Sequence, residues 1–238
     1  MARRRFFVDG IRRGEAELAG DEAEHLTRVL RAEAGQRYEI SDGAGLYVAE
    51  IVEARKRSVR FRIVEELAVE EPAQRITLLA SLIKFERFEW MIEKATELGV
   101  DSIVPVEAER SEKGLQLAAR KRVERWSRIA RAAGQQSRRV HLPSILGPVS
   151  LREAAATTAE SRLHLDETPG GESLPAQTAA KTTAILVGPE GGWTDRERSH
   201  LADTGWTRVS LGPLILRTET AAIAALAVLI SRRSLPEL

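Results

Sequence analysis

The sequence predicts an α/β domain with a mainly parallel sheet, preceded by a small β-rich domain. Three observations support this prediction: short β-rich runs fill the first seventy or so residues, strands and helices alternate after Pro72, and glycine-rich turns directly follow two of the later strands. With 238 residues, the chain is long enough for one large domain or two modest ones. We therefore expect a first domain over residues 1–72 and a second domain over residues 73–238.

The first domain is predicted to be a small β-barrel or sandwich. Its strand candidates are separated by turn signals such as Ser41–Gly45, where glycine permits positive φ. One helix is predicted between them, with Asp21 as the N-cap, Glu24 three residues later and Gly35 as the stop. The strand candidates are RRRFFV, QRYEISD, LYVAEIVEA and SVRFRIV.

The second domain is predicted from strands that alternate with helices. The run RITLLASLI is continuously apolar, as in a strand buried on both faces of a parallel sheet. The next segment places Phe85, Phe88, Ile92 and Ala95 at helical spacing and ends at Gly99. Further strands are predicted at DSIVPV, SRLHLD, TAILVG and TRVSLG, and further helices at about Leu115–Ser137, Thr194–Thr204 and Thr218–Arg232.

Composition excludes several kinds of chemistry. The chain has no cysteine, which excludes disulfides, thiolate metal sites and thiol nucleophiles. Its four histidines are scattered, so no metal site is expected. The sequence contains no apolar run of about 18 residues that would predict a membrane span, and no apolar segment follows the basic N-terminus as it would in a signal peptide. We expect a cytoplasmic protein that works without a metal or a thiol.

Positive charge is concentrated in one stretch, although the formal net charge is only +1. Between Arg120 and Arg139, eight of the twenty residues are basic and Glu124 is the one acid. Arginine can bind phosphates through two parallel hydrogen bonds, so this stretch indicates a polyanionic partner. The alternative is a solvated helix face without a partner.

The turn Gly188–Gly192, with the sequence GPEGG, lies between a predicted buried strand and a predicted helix start. Thr194 and Glu197 have the spacing of a capping box, which marks that helix start. The turn matches neither the P-loop nor the dinucleotide-binding glycine motif, and its glutamate would repel a phosphate. Its ligand is therefore expected to be uncharged or cationic where it meets the loop. Backbone groups that glycine brings close would bind it.

A second turn of this kind, Gly212-Pro213, follows the strand predicted at Val209–Leu211. Each turn alone is more often structural than functional. Ligands of α/β domains bind at the carboxyl ends of parallel strands, however, and we expect the two strands to be neighbours in the sheet with a site at their ends. The helix that follows is apolar all round, so it should be buried against another helix or another subunit.

Six segments resemble the 16S ribosomal RNA uridine N3-methyltransferases of the SPOUT class. They are RRFFV, HLTRVLR, KATELGV, ERS, LVGPEGGW and LGPLILRTETA, and the resemblance runs from about Arg4 to Ile230. One departure is QQSRR, because members often carry glycine at the position of Arg138. The resemblance implies a PUA-like RNA-binding β-barrel at the N-terminus and a SPOUT-type parallel sheet with a C-terminal trefoil knot. It also implies a homodimer that forms through the knotted domain.

The resemblance further implies that the cofactor is S-adenosylmethionine, held by the two glycine turns. This cofactor carries a sulfonium cation and no phosphate, which suits loops with a carboxylate and no P-loop lysine. The implied cofactor-binding residues are Leu186, Gly188, Pro189, Glu190, Gly191, Leu211, Gly212, Leu216, Thr218, Thr220 and Ala221.

Arg217 is the first candidate for catalysis, because it could stabilise negative charge on the uracil carbonyl oxygens as N3 loses its proton. Alternatively, it pairs with Glu219 or Glu190 and braces the loop. Glu219 could act as the base or could cap the helix start. Methylation at uracil C5 commonly uses a cysteine, so N3 or a ribose hydroxyl is the expected acceptor. Two alternatives stay open: a ribose 2′-O-methyltransferase of ribosomal or transfer RNA, and a non-catalytic RNA-binding module.

The expected partner is 16S ribosomal RNA or the small ribosomal subunit. Arg110 follows a predicted strand end and would bind a phosphate or form a structural ion pair. The predicted RNA-binding residues are Arg3, Arg4, Arg5, Arg28, Arg31, Arg110, Arg138 and Arg139. Contacts of this kind give an affinity that falls steeply as salt is added.

Overall fold

The computed structural model describes residues 5–112, 114–168, 170–178 and 180–231. The chain forms two compact units. The first takes the described residues up to Glu71 together with Gly134–Leu142, and the second takes Pro72–Ala133 and the described residues from Pro143 onward. None of the described helices is long and apolar enough to cross a membrane.

Six strands form the sheet of the first unit. They are β1 (Arg5–Phe7), β2 (Ile11–Arg12), β3 (Glu15–Ala19), β4 (Arg37–Ser41), β5 (Leu46–Arg55) and β6 (Ser58–Leu67). Their order across the sheet is β1-β4-β5-β6-β3-β2; β1 and β4 are parallel, and the other pairs are antiparallel. The side chains of Phe6, Leu18, Leu26, Ile40 and Phe61 are buried together in its core. This unit therefore has a hydrophobic core of its own.

The helix of the first unit is shorter than predicted and changes type. The helix α1 spans Gly20–Glu24 and starts without a side-chain cap, so Asp21 is not its N-cap. A π-helical turn, His25–Val29, follows it. Within this turn the Thr27 hydroxyl donates to the carbonyl oxygen of Ala23 at 2.9 Å, a bond that competes with regular helical hydrogen bonding. The regular helix therefore ends earlier than the sequence pattern predicts.

The segment Gly134–Leu142 belongs to the first unit, although the sequence analysis placed it in the second domain. The Ser41 hydroxyl donates to the carbonyl oxygen of Val140 at 2.8 Å, and Arg138 forms an ion pair with Glu39 at 3.0 Å. Contacts between segments about 100 residues apart in the chain leave no periodic pattern in the sequence. The boundary of the first unit is therefore decided by tertiary contacts.

Within the described residues, the sheet of the second unit has eight strands, and all their pairs are parallel. They are β7 (Arg75–Ser81), β8 (Ser102–Glu107), β9 (Ser144–Ile145), β10 (Val149–Ser150), β11 (Ser161–Leu165), β12 (Glu172–Ser173), β13 (Thr182–Val187) and β14 (Thr207–Ser210). Their order is β10-β8-β7-β13-β11-β14-β12, and β9 also pairs with β8. The predicted α/β class with a parallel sheet is confirmed.

The remaining α-helices follow the predicted alternation with two differences: one predicted helix is divided in two, and a short helix that was not predicted spans Leu151–Ala155. They are α2 (Phe85–Leu98), α3 (Leu115–Arg120), α4 (Val123–Gln136), α5 (Leu151–Ala155), α6 (Asp195–Asp203) and α7 (Thr218–Ser231). The predicted stop of α2 at Gly99 is confirmed, because this residue has a φ of 101° and caps the helix in the left-handed region. The single helix predicted over Leu115–Ser137 is two helices, α3 and α4.

Apolar side chains fill both faces of the parallel sheet. On one face α7 packs on α2, β7 and β13, and Phe88, Ile185 and Leu226 are fully buried there. This contact confirms that the all-round apolar helix is buried against another helix. On the opposite face Leu186 and Trp193 are fully buried. The sheet is therefore the rigid support on which the loops at its carboxyl edge are held.

Candidate active site

Three parallel strands end side by side at one edge of the second unit's sheet. The strand β11 lies between β13 and β14 and pairs with both. The expectation that the two strands with Gly-Pro turns are neighbours is therefore wrong, because one strand separates them. As a result, Asp166 and Glu167, which directly follow β11, join the two glycine turns at the site.

A cleft opens at these three strand ends, where ligands of parallel α/β sheets commonly bind. Its lining includes seven of the predicted cofactor-binding residues: Gly188, Pro189, Leu211, Gly212, Leu216, Thr218 and Ala221. Sequence reasoning missed six other lining residues: Leu165, Asp166, Glu167, Val187, Ser210 and Leu214. The sequence LHLDE, an apolar strand followed by two acidic residues, could have indicated Asp166 and Glu167. It does not show that this strand lies between the two glycine turns, because that depends on the strand order.

Four predicted cofactor-binding residues lie outside this lining. Leu186 faces away because side chains alternate along a strand, and it is buried on the opposite face of the sheet. Glu190 and Gly191 are on the outer part of the glycine loop, where arginine side chains hold them. Thr220 lines a different cleft. The candidate cofactor-binding residues that line the cleft therefore lie on the inner side of the two turns.

The glycine loop Gly188–Gly192 is fixed from three directions. The Thr218 hydroxyl donates to the carbonyl oxygen of Gly188 at 2.9 Å, and the Arg110 guanidinium donates to the carbonyl oxygen of Gly191 at 2.8 Å. Arg87 forms an ion pair and a hydrogen bond with Glu190. The loop is therefore held in place before any ligand arrives, which lowers the entropy cost of binding.

Packing explains why the loop begins with glycine. The buried Trp193 donates from its indole nitrogen to the carbonyl oxygen of Leu165 at 2.8 Å, which links the loop to β11. A Cβ added at Gly188 would lie 3.0 Å from the Trp193 ring, which is held by this bond and by the core. A larger residue at position 188 would force the loop or the Trp193 ring to move.

The Asp166 carboxylate is held at the floor of the cleft. Arg198 donates to its two oxygens at 2.7 and 3.2 Å, and the backbone N–H of Thr168 donates at 3.0 Å. Burial alone would raise the pKa of Asp166, but these hydrogen bonds outweigh burial and keep the pKa below its usual range. Asp166 is therefore a fixed negative charge beside the exposed Glu167. The described residues contain no cluster of His, Asp or Glu side chains arranged to hold a metal ion.

His164 should make the stability of the protein depend on pH. Burial lowers the pKa of His164 to about 4, with a smaller opposing effect from Asp166. The unfolded chain therefore takes up this proton at a higher pH than the folded protein does. We expect the free energy of unfolding to fall by about 3 kcal/mol as the pH drops from 6.5 to 4. Urea denaturation at a series of pH values measures this loss, and H164Q should reduce it; an unchanged pH dependence in the variant would contradict the assignment.

The two catalytic candidates line a second cleft, which is open to solvent. Its lining residues are Glu86, Arg87, Trp90, Arg217, Glu219 and Thr220. The side chain of Glu219 is buried, and its Oε2 atom has no hydrogen-bond partner in the part of the chain that the structure describes. A buried carboxylate oxygen without a partner is costly unless a ligand or water supplies a donor. This cleft therefore contains an acceptor ready for a ligand.

Arg217 does not form the ion pair with Glu190 or Glu219 that the sequence allows. Glu190 pairs with Arg87, and Glu219 Oε1 lies 3.9 Å from Arg87 Nε. Arg217 is exposed and makes no ion pair with any residue that the structure describes. Arg87 therefore braces the loop, and the Arg217 guanidinium stays available to a ligand.

The predicted RNA-binding arginines fall into separate groups. Arg3 and Arg4 lie outside the described residues. Three are exposed: Arg28, Arg31 and Arg138. Arg139 is half-buried and donates to the carbonyl oxygen of His141. Arg110 is exposed, but its guanidinium holds the glycine loop.

Arg5 is the one described member of the set that is buried. Its guanidinium lies 2.9 Å from a Glu39 carboxylate oxygen and also donates to the carbonyl oxygen of Arg138. These bonds use the groups that would bind a phosphate. The structure therefore gives Arg5 a role in bracing the first unit and does not support its prediction as an RNA contact.

Comparisons with known proteins match both units. Residues 69–230 match the family described as RNA methyltransferase domain, and residues 18–64 match the RNA methyltransferase PUA domain. The ribosomal RNA small subunit methyltransferases E of Aquifex aeolicus and Mycobacterium bovis are 33% and 34% identical over 94% and 93% of this chain, and over 98% and 88% of their own lengths. The crystal structure of the Neisseria gonorrhoeae enzyme of this name, bound to S-adenosylmethionine, superposes with a TM-score of 0.87 at 29% identity, covering 97% of this chain and 98% of that one.

A parallel α/β domain with a loop-lined cleft at its carboxyl edge, joined to a PUA domain, defines the class of two-domain RNA methyltransferases. Matches that extend over nearly the whole chain then identify the family within that class. The chain belongs to the family of ribosomal RNA small subunit methyltransferases E.

Proposed function

We propose that this protein transfers the methyl group of S-adenosylmethionine to N3 of a uridine in the 16S RNA of the small ribosomal subunit. The observation that supports this most is the cleft at the ends of β11, β13 and β14. Its lining includes the exposed carboxylate of Glu167, and none of its described lining residues is a lysine or an arginine. The names of the relatives support small-subunit ribosomal RNA as the substrate class.

The residues of the cleft fit this cofactor. The exposed Glu167 places negative charge where a sulfonium or an ammonium group would be attracted, whereas the Asp166 carboxylate is buried in its ion pair with Arg198. Gly188 and Gly212 let backbone groups approach a flat base closely, and Leu216 supplies an apolar cover. When bound, S-adenosylmethionine supplies a methyl group on a positively charged sulfur. The fixed glycine loop would orient it without rearrangement.

Transfer to N3 requires the uracil imide to lose a proton. Glu219 is suited to accept it, because its Oε2 atom is buried and lacks a partner among the described residues. Arg217 would stabilise the negative charge that develops on the uracil carbonyl oxygens. Glu219 would take the N3 proton, Arg217 would hold the charge left on the uracil, and bound S-adenosylmethionine would supply the methyl group that N3 receives.

The PUA-containing unit is proposed to bind the RNA through exposed arginines. Arg28, Arg31 and Arg138 are exposed on this unit, and Arg139 is half-buried. A homodimer is also part of the proposal, since Leu214 and Ile215 beside the cofactor cleft are 78% and 83% exposed, which favours a protein contact. With ribosomal RNA as its substrate, the protein is proposed to work in the cytoplasm.

The test is methylation of 16S RNA or of small subunits by the purified protein with S-adenosylmethionine, followed by nucleoside analysis with mass spectrometry. We expect one N3-methyluridine per RNA. An alkali-resistant methylated dinucleotide would instead identify a ribose 2′-O-methyltransferase. Calorimetry and thermal denaturation with S-adenosylmethionine cover the remaining alternative, since absence of both binding heat and stabilisation would indicate a non-catalytic RNA-binding module.

A further inference from the structure

The first turn of α7 separates two clefts with different chemistry. Thr218 and Ala221 line the cofactor cleft, whereas Glu219 and Thr220 line the second cleft. The opposite side of the second cleft comes from the first two turns of α2. Because α2 and α7 pack against each other, this second cleft lies directly beside the cofactor cleft within the same unit.

Trp90 gives the second cleft an exposed aromatic surface. It is 45% exposed, whereas Trp126, Trp193 and Trp206 are 0%, 0% and 4% exposed. A large indole ring left in contact with water contributes little to the core, and aromatic rings at such positions commonly stack on unpaired nucleic-acid bases. Trp90 therefore has the position and the chemistry of a stacking platform.

The second cleft contains one hydrogen-bond acceptor without a partner and two guanidinium donors. The acceptor is Glu219 Oε2, which is buried and has no partner among the described residues. The donors are the guanidinium groups of Arg87, which lies 3.9 Å from the other oxygen of Glu219, and of Arg217, which forms no ion pair within the described chain. Arg87 uses part of its donor set on Glu190 and has five N–H groups in total.

The imide edge of uracil presents the complementary pattern. Its O2 and O4 atoms accept hydrogen bonds, and the N3–H group between them donates. Cytosine differs at two of these three positions, because its N3 accepts and its exocyclic N4 donates. The second cleft would therefore pair fully with uracil, whereas with cytosine it would oppose a carboxylate to the N3 lone pair and a guanidinium to an amino group.

We propose that this second cleft is the acceptor-base site of the enzyme. An unpaired uridine stacks on Trp90, its N3–H donates to Glu219, and its carbonyl oxygens accept from Arg87 and Arg217. The inference rests on the proposed function and adds to it the groups that select uridine. It makes Trp90 and Arg87 specificity-determining residues.

Tryptophan fluorescence tests this directly, because Trp90 is the one indole that iodide in the solvent can reach well. We expect iodide to quench the Trp90 emission of the free protein. A short single-stranded RNA with one central uridine should protect that emission, and the same RNA with cytidine in its place should not. If iodide fails to quench the Trp90 emission of the free protein, a second copy of the chain covers the cleft. That result would overturn the proposal.

Variants separate stacking from folding. Since one stacked base is worth roughly 1–3 kcal/mol, W90A should raise the KM for RNA by about tenfold or more, whereas W90F should stay close to the wild type. L117A removes an apolar side chain that is 71% exposed and lines neither cleft, and it should change nothing. E219Q, which presents both a donor and an acceptor, should reduce the preference for uridine over cytidine.

The outcomes distinguish this inference from the proposed function. If the wild type forms N3-methyluridine but W90A has an unchanged KM and the uridine RNA leaves Trp90 open to iodide, the base lies elsewhere and the inference fails alone. If the wild type forms no N3-methyluridine on any small-subunit RNA, the proposed function itself fails.

Discussion

Replacing Arg217 by alanine should lower the rate of methyl transfer by a factor of about 10²–10³, the usual effect of losing one donor to a developing oxyanion. The Arg217 side chain is exposed and unpaired among the described residues, so its loss should not weaken the fold. It lines the second cleft and not the cofactor cleft, so the Kd for S-adenosylmethionine should stay unchanged. Single-turnover rates on 16S RNA and calorimetry with the cofactor measure the two effects separately.

A matched control for this variant is available on α6. Arg196 is also exposed and lines neither cleft, so R196A should keep full activity. R217K keeps the charge but loses the planar pair of donors, and it should recover only part of the rate. A large rise in the cofactor Kd of R217A, with its single-turnover rate preserved, would show that Arg217 serves cofactor binding and not the chemistry.

Replacing Arg198 by leucine should destabilise the protein by about 3 kcal/mol at pH 7, because it leaves a buried carboxylate without its partner. The Asp166 side chain is 0% exposed in its ion pair with Arg198. In the wild type, the pKa of Asp166 is lower in the folded protein than in the unfolded chain. The ion pair therefore stabilises the fold at pH values above the unfolded pKa, and this stabilisation is lost as the pH falls through the folded pKa. Urea denaturation of the variant and the wild type measures the difference.

The sign of the pH dependence provides an internal check on R198L. Without the arginine, burial raises the pKa of Asp166, so protonation relieves part of the penalty and the difference from the wild type should shrink at acidic pH. The double variant D166A/R198L should be more stable at pH 7 than R198L, since it removes the unpaired charge. The control R196L should be within about 0.5 kcal/mol of the wild type. Equal losses in R198L and the double variant would show that the arginine acts through packing alone.

The start of α6, just after the glycine loop, shows which contacts a local sequence pattern can predict. The predicted capping box of α6 is confirmed, because the Thr194 hydroxyl accepts from the backbone N–H of Glu197 and the Glu197 carboxylate accepts from that of Thr194 at 2.9 Å. Both residues lie within one helical turn, so their pairing depends only on local geometry. Glu197 also accepts from the backbone N–H of Glu109 at 2.7 Å, a contact across 88 residues that no local pattern indicates.

Arg138 illustrates a departure that the structure explains in part. Its φ is 57°, in the left-handed region that favours glycine, and glycine is the residue that the resembling family often carries there. The arginine side chain forms an ion pair with Glu39, which holds the segment Gly134–Leu142 in the first unit. The strain of the backbone is thus offset by a contact that glycine could not make.

By itself, the sequence determined the alternation of strands and helices, the two glycine turns, the apolar faces and the absence of thiol chemistry, because periodicity, capping and composition act over a few neighbouring residues. Only the tertiary structure decided that β11 lies between the two glycine-turn strands and that Arg87 holds both Glu190 and Glu219. It alone also showed that Arg5 is buried against Glu39. These facts depend on strand order and on contacts between residues that lie 34 to 132 positions apart in the chain. Contacts over such separations are set by how the whole core packs, so no local pattern encodes them.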